Sequence, residues 1–364
     1  MSSGQTYLEK GPMQVRKSVQ MPIWLKALIA LFPALIFLTL FTIYPIINTT
    51  IIGFIENFAW QSGMGSFSLA NYFRQLDMHV AWDSYWKPYF DVIEPGNTFQ
   101  RPLMPIITFN NFISVLKDPD FIGALWNTTM LTLISVPLTI LISLLLAVSL
   151  NSIKPLRATY QTIFFLPYVT NAIALGMVFN TLFSPQTGGI MNQLVMAFGG
   201  SPRSWIHSGF DREGTIKLTK FSLGFAITVQ TVWTGLAFKI LVFMSGLASI
   251  DRQYYDAARI DGASRSTIFK RITVPLLSPQ ILYITITSFI GAFKAYQSII
   301  AIVGVDHTNF GGTDGRMWLT VVGYIYRFRD TKLPVAAAGS VILLIIILLI
   351  TLVQMQVSKK RVHY

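Results

Sequence analysis

The chain has 364 residues, of which 52% are hydrophobic and only 12% charged, against about 25% charged in a soluble globular domain, so the composition excludes an ordinary water-soluble enzyme. In a soluble protein the net charge of +12 would point to nucleic acid, but here the basic residues stand between long apolar runs, and a membrane is the first partner to consider. There is no cysteine, which removes disulfides, thiol catalysis and cysteine-ligated metals, and the four histidines are scattered singly with no HExxH pair, so no metal site is expected.

A bilayer core about 30 Å thick takes roughly 20 apolar residues as a helix, because lipid offers backbone groups no partner. Six segments meet that demand: 27–51, 125–150, 160–183, 221–249, 279–303 and 335–357. The expected fold class is all-α and membrane-integral. Its layout is a tail over 1–26, a first span within 27–55, a loop over 56–124, a core over 125–358 holding spans two to six with the loop 250–275, and a basic tail over 359–364.

Lys10, Arg16, Lys17 and Lys26 precede the first apolar segment in the manner of a signal peptide. That segment is longer than a signal core and no small-x-small cleavage site follows it, so it is expected to be retained as a span. The loop 56–124 is far beyond a normal connection and is expected to be structured. Its aromatics, among them Phe58, Trp60, Trp82, Tyr85 and Trp86, fit two readings: a cap with its own core, or a docking surface for an external partner. The later loops 184–220 and 304–334 carry glycine turn signals. No GxxxxGK[ST] occurs anywhere and no GxGxxG joins a strand to a helix, so the chain has no nucleotide site of its own.

Orientation follows from the placement of Lys and Arg. With the N-terminus inside, the cytoplasmic segments hold fourteen of the 28 basic residues against four acidic ones, a balance of +10, while the outer loops balance at zero. Lys239 and Lys294 remain within spans. Both termini are expected in the cytoplasm.

Between the fourth and fifth spans the chain reads as two short helices broken at a glycine. Asp251 is placed to cap the first helix, Gly262 to stop it, and Ser264 or Ser266 to start the second. Ala257 and Ala258 permit close approach, Asp256 and Arg259 can pair at i, i+3, and Pro275 and Pro279 lead into the next span. Two readings follow from the residues alone: a basic loop lying on the membrane surface, or a helical knob that inserts into a cytoplasmic partner.

The run Asp256, Ala257, Ala258, Arg259, Ile260, Asp261, Gly262, Ala263, followed by Phe269 and Pro275, resembles the coupling-loop motif of binding-protein-dependent ABC importer permeases. Phe109 to Phe112, Asp118 to Phe121, the Phe164-Phe165-Leu166-Pro167 run, Gly291 to Tyr296 and the pair Tyr324 and Tyr326 are similar to the carbohydrate subfamily, of maltose and glycerol-phosphate type. Asp256 stands where that family usually has Glu, Asp251 where Pro is common, and Gly311-Gly312-Thr313 replaces its GGP.

The resemblance implies a type I importer assembled from two permease subunits, two cytoplasmic ATPase subunits and an external solute-binding protein. This chain would be one permease, with ATP and Mg bound only by the ATPases and no nucleic-acid partner. It implies that Asp256, Ala257, Ala258, Asp261, Gly262, Ala263, Phe269 and Pro275 form the ATPase-coupling loop. Gly262→Val is expected to clash at the turn.

For the substrate path, a mid-span lysine is costly unless it faces water or a partner, which singles out Lys294 with Tyr296, Gln297 and Ser298. Asn171, Asn180, Gln230 and Trp233 offer amides and a ring face on neighbouring spans. A sugar or oligosaccharide is the expected cargo, with a phosphorylated polyol or a peptide as the alternative. A secondary transporter would leave the coupling motif unexplained.

Overall fold

The computed structural model describes residues 22–56, 106–153, 157–184, 188–206, 209–211, 214–216, 219–303 and 317–358. The tails and most of the 56–124 loop, with its two readings, lie outside the described residues.

The chain divides into two units, Met1–Asn48 and Thr49–Tyr364. In the first, α1 (Ile23–Leu38) is apolar throughout apart from Lys26 and contains Pro33. A π-helical stretch (Thr39–Ile43) leads into α2 (Tyr44–Phe54). A second π-helical stretch (Phe269–Thr273) occurs later in the chain. Each ends two residues before a proline, Pro45 in one case and Pro275 in the other. A proline ring offers no N–H to the carbonyl four residues back and crowds it, and the wider turn takes up the misfit.

In the second unit the described helices after α2 are, in order, α3 (Asn110–Lys117), α4 (Pro119–Ser152), α5 (Arg157–Val169), α6 (Ala172–Leu182), α7 (Ile190–Ala197) and α8 (Lys220–Ser249). They continue with α9 (Arg252–Ile260), α10 (Arg265–Ile268), α11 (Val274–Leu276), α12 (Ser278–Phe293), α13 (Gln297–Val303), α14 (Val321–Arg329) and α15 (Leu333–Ser358). Two minimal antiparallel ribbons accompany them: β1 (Ile55–Glu56) with β2 (Ile106–Ile107), and β3 (Gly209–Asp211) with β4 (Gly214–Ile216).

Among the described residues four helices are long and apolar enough to cross a membrane: Trp24–Phe54, Pro119–Ser152, Lys220–Ser249 and Leu333–Ser358. A fifth candidate is the pair Arg265–Leu276 and Ser278–Phe293, bent by 66°. The sequence expectation of six continuous spans is modified in two places. The segment expected at 160–183 is divided into α5 and α6 by a break at Thr170 and Asn171, and the one at 279–303 is divided by Lys294, Ala295 and Tyr296. The helix expected from Leu125 starts already at Pro119, because Asp118 caps it by accepting from Asp120 N at 2.9 Å and Pro119 fits the first helical position.

α4 and α8 form the central pair, with α5 and α12 beside it and α14 and α15 packed together. Apolar side chains make two clusters along it. One gathers around the N-terminal halves of α4 and α8 (Phe121, Leu131, Leu223, Ile227) with Phe293, Ile299 and Tyr324. The other gathers around their C-terminal halves (Leu144, Leu150, Leu236, Phe243) with Leu277 and Ile284. Between the clusters α4 buries Thr132, Ser135, Thr139 and Ser143. Thr132 donates to Thr128 O at 2.7 Å, Thr139 to Ser135 O and Ser143 to Thr139 O at 2.7 Å, so these three hydroxyls are satisfied within their own helix, while Ser135 Oγ is buried without a partner; all four leave a small surface for close packing.

The segment 317–329 acts as a clasp over the first cluster. Asn127 Nδ2 donates to Leu319 O at 3.0 Å, Val321 N to Thr128 Oγ1 at 3.1 Å, and Trp318 Nε1 to Lys220 O at 2.7 Å. Trp318 lies against Gly224, where an added Cβ would come within 2.3 Å of Cζ2. Thr320 Oγ1 reaches Ala295 O at 3.1 Å, which pins the break between α12 and α13.

Candidate functional site

A cavity of about 530 Å³ opens at the level between the two apolar clusters, lined from α5, α6, α8, α13, α14 and the two helix breaks. Gln230 and Thr234 come from consecutive turns of α8; Thr170 marks the first break, and Lys294, Ala295, Tyr296 and Gln297 the second. A broken helix leaves backbone and side chains free to face a cavity, the usual reason for interrupting a helix at membrane depth.

Gln230 is 1% exposed and its Oε1 has no hydrogen-bond partner. A buried amide oxygen left unsatisfied is costly, and the cavity is where a hydroxyl can satisfy it. Tyr296 and Tyr326 stack with centroids 4.2 Å apart and planes 5° from parallel. The Arg329 guanidinium lies 5.3 Å over the Tyr326 ring and is itself held by Asp330, Nε to Oδ1 at 3.0 Å. Tyr168 is stacked at 6.1 Å on Phe238 of α8. Aromatic faces, an amide and hydroxyls together suit a polyhydroxylated solute.

Of the residues singled out from sequence for the path, the structure brings Gln230, Lys294, Tyr296 and Gln297 together in this cavity. Asn180 is elsewhere, its Nδ2 donating to Ile302 O at 3.0 Å to tie α6 to α13. Asn171 stands in the first break but does not line the cavity, and Trp233 is 46% exposed on another face of α8. The side chain of Ser298 lies outside the described residues. Sequence reasoning missed Tyr168, Thr170, Thr234 and Tyr326 as lining residues, because they reach the cavity through helix breaks and helix packing that the sequence does not mark.

Beyond the cavity, α14 is anchored to the start of α4. Tyr324 OH donates to Asp118 Oδ2 at 2.7 Å, and Arg327 Nη1 to Asp120 Oδ2 at 2.9 Å. Burial, and then the bond to Asp118, push the Tyr324 phenol well above its usual range.

At the other end, the loop 250–275 folds locally as its sequence dictates. Asp251 Oδ1 accepts from Gln253 N at 3.0 Å and caps α9, Ser264 Oγ accepts from Thr267 N at 3.2 Å and caps α10, and Arg259 sits 3.4 Å from Asp256. Gly262 has φ +71. Its N–H donates to Arg259 O at 3.1 Å and that of Ala263 to Ala258 O at 2.9 Å, the pair of bonds that ends a helix with a left-handed residue.

None of the α9 side chains is buried; Asp256, Ala257, Asp261 and Gly262 are exposed, and Ile260 is 87% exposed. Phe269 packs against the second apolar cluster and roots the knob. Pro275 lines a separate groove with Ser278, Ile281 and Val353. One expectation is corrected. No atom lies within 4 Å of a Cβ added at Gly262, so substitution there strains the backbone and meets no clash.

Residues 119–362 match the family described as binding-protein-dependent transport system inner membrane component. The chain is 29% identical to the arabinooligosaccharides transport system permease protein AraP of Bacillus subtilis (strain 168), over 72% of this chain and 80% of that protein. It is 31% identical to the lactose transport system permease protein LacF of Rhizobium radiobacter, over 69% of this chain and 80% of that one. Its fold is shared with a bacterial alginate ABC transporter solved in complex with an alginate pentasaccharide-bound periplasmic protein, at TM-score 0.60 and 20% identity, covering 80% of this chain and 94% of the other. The chain belongs to the binding-protein-dependent transport system inner membrane components, as a multi-pass, non-catalytic permease of an ABC importer.

Proposed function

We propose that this permease carries a sugar or oligosaccharide from an external solute-binding protein to the cytoplasm by alternating access, as one half of a permease heterodimer driven by two ATPase subunits. Six spans serve this role: α1 with α2, α4, α5 with α6, α8, α12 with α13, and α15. Both termini lie in the cytoplasm, as the +10 balance of the cytoplasmic segments supports.

The observation that carries the sugar reading is the cavity, which is lined by Gln230, whose buried amide oxygen has no partner, together with Tyr296 and Tyr326. Hydroxyls bind the first and the apolar face of a pyranose the second. Arabinooligosaccharides and lactose, the cargoes named for the two relatives described above, are carbohydrates, as is the alginate of the transporter that shares the fold.

In this reading the exposed knob of α9 and α10 seats in an ATPase cleft, with Asp256, Ala257, Ala258, Asp261, Gly262 and Ala263 at its crest. Phe269 and Pro275 join it rigidly to α12, so closure of the ATPases turns the helices that wall the cavity. ATP and Mg are held by the ATPases.

Copurification followed by reconstitution tests the proposal. A second permease and an ATPase are expected to come down with the chain, and vesicles holding the complex are expected to take up oligosaccharide only with ATP and the binding protein. Uptake by the lone chain, indifferent to ATP, would overturn it.

A further inference from the structure

The cavity contains a cation that no carboxylate among the described residues neutralises. Lys294 is exposed in it, at the break where α12 ends. The other residues lining it are Tyr168, Thr170, Leu175, Gln230, Thr234, Ala295, Tyr296, Gln297, Val322 and Tyr326, with no carboxylate among them. The carbonyl end of α12 supplies about half a negative charge and so offsets the ammonium only in part. Behind Tyr326, Arg329 is already paired with Asp330 at 3.0 Å, so that carboxylate is engaged.

A second lysine lies on α8. Lys239 lies on α8, nine residues beyond Gln230, or about 14 Å along the axis at 1.5 Å per residue. Its ammonium turns back to donate to Gly235 O at 3.1 Å, one residue from the cavity wall at Thr234, in the notch beside Thr139 of α4. Among the described residues no carboxylate pairs with Lys239 or Lys294, and the segments 121–152, 157–184, 220–249, 278–303 and 333–358 contain no Asp or Glu at all. A lysine at membrane depth is costly unless it faces water or an anionic partner. Lys294, in the cavity and without a carboxylate partner among the described residues, is the arrangement that attracts an anion and excludes cations.

Resting on the reading of the chain as a carbohydrate permease, we propose that its cargo is an anionic carbohydrate. A carboxylate or phosphate on the sugar pairs with Lys294 while the hydroxyls reach Gln230 and the ring lies at Tyr296 and Tyr326. Neutral sugars would use the same amide and aromatic contacts but leave the lysine unpaired.

The test is uptake and ATPase stimulation by the complete importer in proteoliposomes. Three probes are compared: a neutral mannose oligosaccharide, the corresponding mannuronate oligosaccharide, and mannose 6-phosphate. One or both anionic probes are expected to be taken up, at least tenfold faster than the neutral one, and the better of the two identifies the anionic group. Lys294→Gln is expected to lower that uptake by about tenfold or more, as loss of one partner of a desolvated charge pair requires, while Lys294→Arg retains most of it. Uptake of the neutral oligosaccharide alone, or an unaltered rate for the anion in Lys294→Gln, would overturn the charge assignment and leave the sugar-permease reading in place. Response to none of the three would count against both. Should Lys294→Gln not assemble with its partners, the comparison of probes on the unaltered complex decides the matter by itself.

Discussion

The rings of Tyr296 and Tyr326 lie face to face, with centroids 4.2 Å apart, and both border the cavity. Tyr296 belongs to the break between α12 and α13, and Tyr326 to α14, so the stack joins the wall of the cavity to the clasp above it. Tyr326→Ala removes one ring of the pair, an interaction of about 0.5 to 1.5 kcal/mol beyond burial. A two- to tenfold rise in the KM for sugar uptake is expected in proteoliposomes, with Tyr326→Phe close to the unaltered protein.

Gly262 holds φ +71 at the end of α9, with open space where a side chain would stand. An L side chain in that conformation costs about 1 to 2 kcal/mol. Because no neighbour is displaced, the expected effect is local: Gly262→Val inserts and copurifies normally, but its ATPase activity no longer responds to loaded binding protein. Gly262→Asn, which tolerates the left-handed region better, is expected to keep a partial response. Measuring stimulated against basal ATP hydrolysis in the two variants distinguishes coupling from folding.

The Tyr324 phenol donates to Asp118 at 2.7 Å and is held protonated by burial and by that bond. Its folded-state pKa lies above the free value of 10, so the neutral form is the one the fold favours. That contribution is fully present below pH 10 and is lost only as pH rises through the raised value. Tyr324→Phe is expected to lower stability in detergent by about 1 to 3 kcal/mol, because it leaves a part-buried carboxylate oxygen short of a donor. The loss should be the same at pH 6 and pH 9, and thermal unfolding at the two values checks this.

Gly224 and Gly123 make an internal comparison. A Cβ at Gly224 would meet Trp318 Cζ2 at 2.3 Å, whereas one at Gly123 meets nothing within 4 Å. Gly224→Ala is expected to destabilise by about 1 to 3 kcal/mol through overpacking. Gly123→Ala, inside α4, is expected to stabilise by about 0.5 to 1 kcal/mol. Melting temperatures of the purified permease should therefore move in opposite directions.

Much of the fold was legible because lipid imposes a simple demand. Uncharged runs such as 335–357 must be helices, and they are; Asp251, Ser264 and Gly262 cap and end helices for reasons confined to a few neighbouring atoms. The two helix breaks were not legible, since nothing in the composition of 160–183 or 279–303 interrupts an apolar run strongly enough. Thr320 binding Ala295 O is what fixes the second break, across 25 residues of sequence. The same limit governs the site. Asn180 and Trp233 had suitable chemistry, but Asn180 bonds Ile302 O and Trp233 is exposed outside the cavity, while Tyr326 arrives from a segment that sequence distance separates from Gln230.

The opening balance of charge and hydropathy determined by itself that this chain lives in a membrane, how its basic residues are distributed, and where its exposed helical knob is encoded. Those properties depend on local composition and on contacts within a turn or two. Tertiary structure alone decided which side chains share the cavity. Lys294, Gln230 and Tyr326 meet only because α8, the broken α12 and α14 are held together by the clasp at 317–329. Nothing in the separation of those residues along the chain fixes their distance in space.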